Sequence, residues 1–103
     1  MVAYVAPGSL KDQPLVLKAT APGDYNVRIN GLLAGHIMLK SVSSGREVWF
    51  WTITGPYIPV EMLPSNGEEV TLAEAKEAFR TKFDRWREWA VTLDHDVIWN
   101  GKA

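Results

Sequence analysis

The side chains able to do chemistry are few and scattered. Asp94, His95 and Asp96 stand in a row, and carboxylates with an imidazole are metal ligands. Consecutive side chains diverge, however, and a metal site draws its ligands from separate elements. The other histidine is His36, and a Ser43-Ser44 pair completes the inventory. A serine needs a base within reach and an orienting third group, and the spacing offers neither. No Gly-X-Ser-X-Gly, phosphate loop, His-Glu-X-X-His or dinucleotide fingerprint occurs. The expectation is therefore a protein with no catalytic residue, no metal and no cofactor, in which Asp94–Asp96 forms a solvated turn.

A different kind of chemistry is suggested by Trp49, Phe50 and Trp51. In a strand, Trp49 and Trp51 share one face and Phe50 takes the other. Two indoles on an open face would make a stacking platform for bases. The weightier reading packs both under an apolar helix, because large rings supply much of a small core. Phe50 and Thr52 then face away from the helix. With Arg28, Arg46 and His36 they form the candidate partner surface.

Charge narrows the partner class. The chain has 103 residues, with 11 Lys and Arg against 12 Asp and Glu, for a formal net charge of −1. Nucleic-acid binders gather a basic excess or stripe. On the strands only Arg28, Lys40 and Arg46 are expected to offer one. The helix interleaves its signs: Lys76, Arg80, Lys82, Arg85 and Arg87 flank the apolar stripe, while Glu74, Glu77, Asp84 and Glu88 run down the outer face. The expected partner is a protein, not a nucleic acid and not a membrane. The chain has no cysteine, which fits a reducing compartment. The opening stretch has no basic start followed by a long apolar run, so neither a signal peptide nor a transmembrane helix is expected. The expected location is the cytoplasm, in a bacterial cell.

These residues must be held by a small number of elements. Residues 1–23 are rich in Pro and Gly and read as a loosely ordered N-terminal arm, although Leu15–Ala19 has the composition of a short edge strand. Tyr25, Val27 and Ile29 alternate with polar residues, the pattern of a half-buried strand. Asn30-Gly31 then signals a hairpin. A two-residue turn sets Ile29 opposite Leu32. A three-residue turn with a glycine bulge sets Ile29 opposite Leu33, Val27 opposite Gly35 and Tyr25 opposite Ile37. The second is preferred because it puts Leu33, Ile37 and Leu39 on the core face. Val48–Thr54 is a third strand rich in aromatic and β-branched residues. Gly55–Glu69, with three prolines and two glycines, reads as a long loop. Thr71 with Glu74 forms a capping box, and Leu72, Ala75, Phe79, Phe83, Trp86 and Ala90 make one helical face. Val97–Trp99 suggests one more packed segment, strand or coil.

From Asp24 to Trp86 the chain resembles a group of small uncharacterised alphaproteobacterial proteins. The resemblance rests on Gly31, the Gly35-His36-Ile37 strand, the Trp49-X-Trp51 strand and the Glu74-Ala75 start of the helix. Members of that group carry a basic residue where this chain has His36. The resemblance implies a fold and no activity. A looser similarity, at fold level alone, is to three-strand-plus-helix DNA-reading domains of the plant AP2 type and the arm-binding domains of tyrosine integrases.

The fold expected is α+β: a three-stranded antiparallel sheet packed against one C-terminal α-helix, with irregular flanking arms. It forms a single β-β-β-α domain over 24–103, with a C-terminal extension. Trp49, Trp51, Phe79, Phe83 and Trp86 are its structural core. The expected function is a small non-enzymatic interaction module; a nucleic-acid-binding domain using the sheet or its loops is the alternative.

Overall fold

A computed structural model describes residues 3–100. The sheet is wider than expected. Five antiparallel strands run in sequence order: β2 (Leu15–Ala21), β3 (Asp24–Ile29), β4 (Leu32–Ser41), β5 (Glu47–Ile53) and β6 (Asn66–Glu69). A separate two-stranded sheet joins β1 (Ala3–Val5) to β7 (Val97–Trp99). One helix, α1 (Leu72–Ala90), packs on one face of the main sheet.

The three-stranded sheet is thus corrected to five, and both added strands have a physical cause. The stretch expected as an arm over 1–23 holds β1, a 3-10 turn at Pro7–Leu10 and β2. Pro14 and Pro22 bracket β2 without interrupting it. Its Leu15, Leu17 and Ala19 alternate with Val16 and Lys18 against β3. The turn is pinned by burial of Leu10 and by Arg87 of the helix, whose guanidinium donates to the carbonyls of Leu10 and Gln13 and to Asp84. Strand β6, Asn-Gly-Glu-Glu, has no intrinsic strand preference. Its partner makes it a strand: Gly67 lies opposite Trp51, and Trp51 Nε1 donates to Glu69 Oε2 at 3.1 Å. The expected loop over Gly55–Glu69 therefore ends in a strand, after a second 3-10 turn at Val60–Met62. Residues 1, 2 and 101–103, which belong to the expected arm and extension, lie outside the described residues.

The hairpin register combines the two alternatives. Asn30 and Gly31 both have positive φ, and Ile29 pairs with Leu32 across a two-residue turn. The one-residue shift comes later: Arg28 pairs with Leu33 and Val27 with Gly35, leaving Ala34 as the extra residue. From there Tyr25 faces Ile37. The bulge changes which leucines are inside. Ile37 and Ala34 are buried and Leu32 packs against the core, whereas Leu33 lies outside that cluster and Leu39 is exposed. A Cβ on Gly35 would strike the Thr52 carbonyl and approach the Phe79 ring to 2.8 Å. Its absence lets the helix lie close on the sheet.

The helix begins as expected. Thr71 Oγ1 accepts from the Glu74 N–H, and the Glu74 carboxylate accepts from the Thr71 N–H, both at 3.1 Å. Ala75, Phe79, Phe83, Trp86 and Ala90 are buried. Trp51 meets Phe79 edge-on with ring centroids 6.3 Å apart, and Phe79 stacks on Phe83. Trp99 of β7 closes the lower end of the core. It packs edge-on against Trp86 and Phe83, and its Nε1 donates to the Leu33 carbonyl at 2.8 Å.

Candidate functional site

The opening aromatic triplet divides as strand geometry demands. Trp51 faces the helix and is buried. Trp49 is on the same face, half-buried at the margin of the core, with Tyr25 6.3 Å away between ring centroids. Phe79, Phe83 and Trp86 complete that cluster. Phe50 is on the outer face, where Met38 is its cross-strand neighbour and His36 is paired with Thr52. Phe50 is not bare. Lys40 Nζ lies 5.0 Å from its ring centroid and 3.1 Å from Glu68. An ammonium over an aromatic face, tethered by a carboxylate, shields the ring from other contacts.

Of the five residues proposed as a partner surface, His36, Phe50 and Thr52 come together. Arg28 shares their face, opposite Val16 of β2, and donates to the Gly31 carbonyl at 3.2 Å. Arg46 lies in the β4–β5 turn, where its carbonyl accepts from the Val42 N–H. Lys18, missed in the sequence because its strand was read as an arm, adds a base opposite Asn26. The outer face thus carries Lys18, Arg28 and Lys40, of which Lys40 is paired to Glu68.

The helix side holds a feature that composition did not signal. Five strands spaced roughly 4.8 Å apart span about 19 Å between the outermost pair. A helix with its side chains is about 10 Å across. It cannot span all five; α1 lies mainly over β5 and β6, while Val27, Ile29 and Ile37 on the inner face of β3 and β4 are also buried. Only the inner face of β2, with Leu15 and Leu17 half-buried, borders an open groove of about 530 Å³. Leu15 and Leu17 form its accessible floor, above the buried Val27 and Ile37, and Leu72 and Phe79 form the helix wall. Lys76, Glu77 and Arg80 stand on its rim. Glu77 is taken by Arg80, with contacts of 2.8 and 2.9 Å that raise the Arg80 pKa by hydrogen bonding and charge. Lys76 makes no salt bridge among the described residues.

A second groove, also about 530 Å³, lies on the other flank of the helix between Trp51, Pro64, Asn66 and Ala78. Its ionisable lining is mixed, with Glu74 and Glu77 against Lys82 and Arg85. Among the described residues no cluster of three or more His, Cys, Asp or Glu side chains could hold a metal. Asp94, His95 and Asp96 are exposed, and His95 Nδ1 lies 3.0 Å from the Asp96 carbonyl.

No family profile, curated protein or solved structure matches the chain. No helix among the described residues is long and apolar enough to cross a membrane.

Proposed function

We propose that the protein is a small non-enzymatic interaction module that receives a protein partner on the part of its sheet left uncovered by the helix. The observation that carries this reading is the mismatch between a five-stranded sheet and a single helix. Leu15, Leu17 and Tyr25 are only half-buried, although they share a face with the core. Contiguous apolar surface of this kind, rimmed by polar groups, is where partners bind. The outer face around Phe50 is the lesser seat, because Lys40 already covers the ring.

The nucleic-acid alternative draws support from Lys18, Arg28 and Lys40 sharing one face. It is weakened by the pairing of Lys40 with Glu68 and by a net charge of −1. Phosphate binding scales with clustered free cations. The proposal places the module in a bacterial cytoplasm, in keeping with a cysteine-free chain.

The test is a paired binding experiment. A displayed library of random dodecapeptides is panned on the immobilised protein, and mixed duplex and single-stranded oligonucleotides are titrated near 0.15 M salt. The reading expects saturable peptide binders whose amide-shift footprint lies on the sheet, and no saturable oligonucleotide signal. Micromolar oligonucleotide binding that weakens steeply with salt, or a library that returns no binder, would overturn it.

A further inference from the structure

The two edges of the main sheet are built differently. Edge β6 has four residues, two of them glutamates, with Glu68 tied to Lys40 and Glu69 to Trp51. Short length and charge are how proteins blunt an edge against pairing. Edge β2 has seven residues, Leu-Val-Leu-Lys-Ala-Thr-Ala, one charge and no proline. Its ladder irregularity sits near its end, between Ala19 and Ala21. It is the less protected edge, and it borders the open groove.

The direction of its free backbone groups follows from the ladder. Ile29 and Leu32 flank a two-residue turn and exchange both bonds. At the far end of β4, the Leu39 N–H donates to the Gly23 carbonyl, so Ile37, two residues earlier, also turns its backbone toward β3. Bonding alternates along a strand, which points Tyr25 and Ile29 toward β4 and Asn26 and Arg28 toward β2. Val16 and Lys18 oppose Arg28 and Asn26 and so use their N–H and C=O groups on β3. The N–H and C=O groups of Leu15, Leu17 and Ala19 point off the edge. Leu15 and Leu17 are also the residues whose side chains floor the groove. One extended segment laid along β2 would therefore satisfy the free backbone groups and drop alternate side chains over the groove.

Charge selects the segment. With Glu77 and Arg80 paired, the groove's remaining rim charge is Lys76, and the strand's own charge is Lys18 on the opposite face. Asp24 stands only at the far end, opposite Ala21. A second copy of this chain added through β2 would bring Lys76 and Lys18 toward their own duplicates. A segment alternating apolar and acidic residues has no such penalty: with its apolar side chains toward the groove, its carboxylates share the outer face with Lys18.

Resting on the reading above, we infer that β2 is a docking edge for an extended peptide of alternating apolar and acidic residues. The peptide adds as a sixth strand, its apolar side chains packing beside Leu15 and Leu17 on the groove side and its carboxylates, on the other face, reaching Lys18.

An acetylated, amidated heptapeptide alternating Glu and Val is titrated into the isotope-labelled protein, beside a Lys and Val counterpart. The expected result is saturable binding of the acidic peptide, at least tenfold tighter than the basic one. Shifts should centre on Leu15, Leu17 and Ala19, and the Leu17 N–H should gain exchange protection. Lys18→Glu, at an exposed position on the outer face, should weaken the acidic peptide tenfold or more. Ala19→Pro, which removes an outward N–H and suits an edge strand, should abolish binding while leaving Val27 and Ile53 shifts in place. If Ala19→Pro does not fold, the Lys18→Glu arm decides alone. Equal affinity for the two peptides, or no binding of either, overturns the inference. A footprint around Phe50 also overturns it while leaving the interaction-module reading intact. Concentration-dependent self-association abolished by Ala19→Pro would instead assign the edge to a second copy.

Discussion

Gly67 lies directly across the β5–β6 ladder from Trp51, and a Cβ at position 67 would stand 2.8 Å from the indole Nε1 and 3.0 Å from Cε2. The glycine is the floor on which the Trp51 ring crosses to Glu69. This one contact explains why a segment of poor strand preference closes the sheet.

Gly67→Ala should accordingly behave as overpacking. The ring or the edge strand must shift, at about 1–3 kcal/mol. Gly8→Ala, where a Cβ would meet nothing within 4 Å, is the control and should change stability little. Urea denaturation of the two variants makes the comparison.

Trp51→Ala and Trp99→Ala should both act as core deletions, each costing on the order of 3–5 kcal/mol. The two separate on replacement by Phe. Trp99→Phe leaves the part-buried Leu33 carbonyl, beside a fully buried ring, without its donor, adding about 1–3 kcal/mol. Trp51→Phe frees the half-buried Glu69, which turns to water at smaller cost. Chemical denaturation of all four variants checks the order.

Arg87→Met should detach the N-terminal turn and spare the sheet. The Arg87 side chain is 15% exposed and holds the Leu10 and Gln13 carbonyls. Hydrogen bonds to a charged group are worth about 1.5–3 kcal/mol. Amide exchange should quicken across residues 8–13 while β3–β5 remain protected. Uniform loss across the whole chain would mean the turn is integral to the core.

Thr71→Ala should cost about 1 kcal/mol, because it removes one half of the capping box. Amide exchange should rise in Leu72–Ala75 and nowhere else.

The helix and the central hairpin were legible because their signals are local. A capping box, an apolar stripe and an Asn-Gly turn each act within a few residues. Strand β6 was not legible, since Asn66–Glu69 becomes a strand only in the presence of the Trp51 ring. Strand β2 was half legible: Leu15–Ala19 has the composition of an edge strand, but Pro14 and Pro22, which mark its ends and not its absence, favoured an arm. The register was half legible. The turn type and the later pairing of Tyr25 with Ile37 were both among the alternatives weighed, but the bulge at Ala34 joins them and moves Leu33 out of the core cluster. The groove beside β2 has no sequence signature. It arises from strand count against helix width, and the strand count depends on the two hidden strands.

Strand β2 is a free edge of the main sheet, and residue-by-residue amide exchange in dilute protein reads this at each N–H. The N–H groups of Val16 and Lys18 should be protected by β3, and those of Leu17 and Ala19 should exchange at close to the rate of an unstructured chain. Protection of Leu17 and Ala19 equal to that of Val16 and Lys18, at a concentration where the protein is monomeric, would show the edge to be covered and would contradict the account.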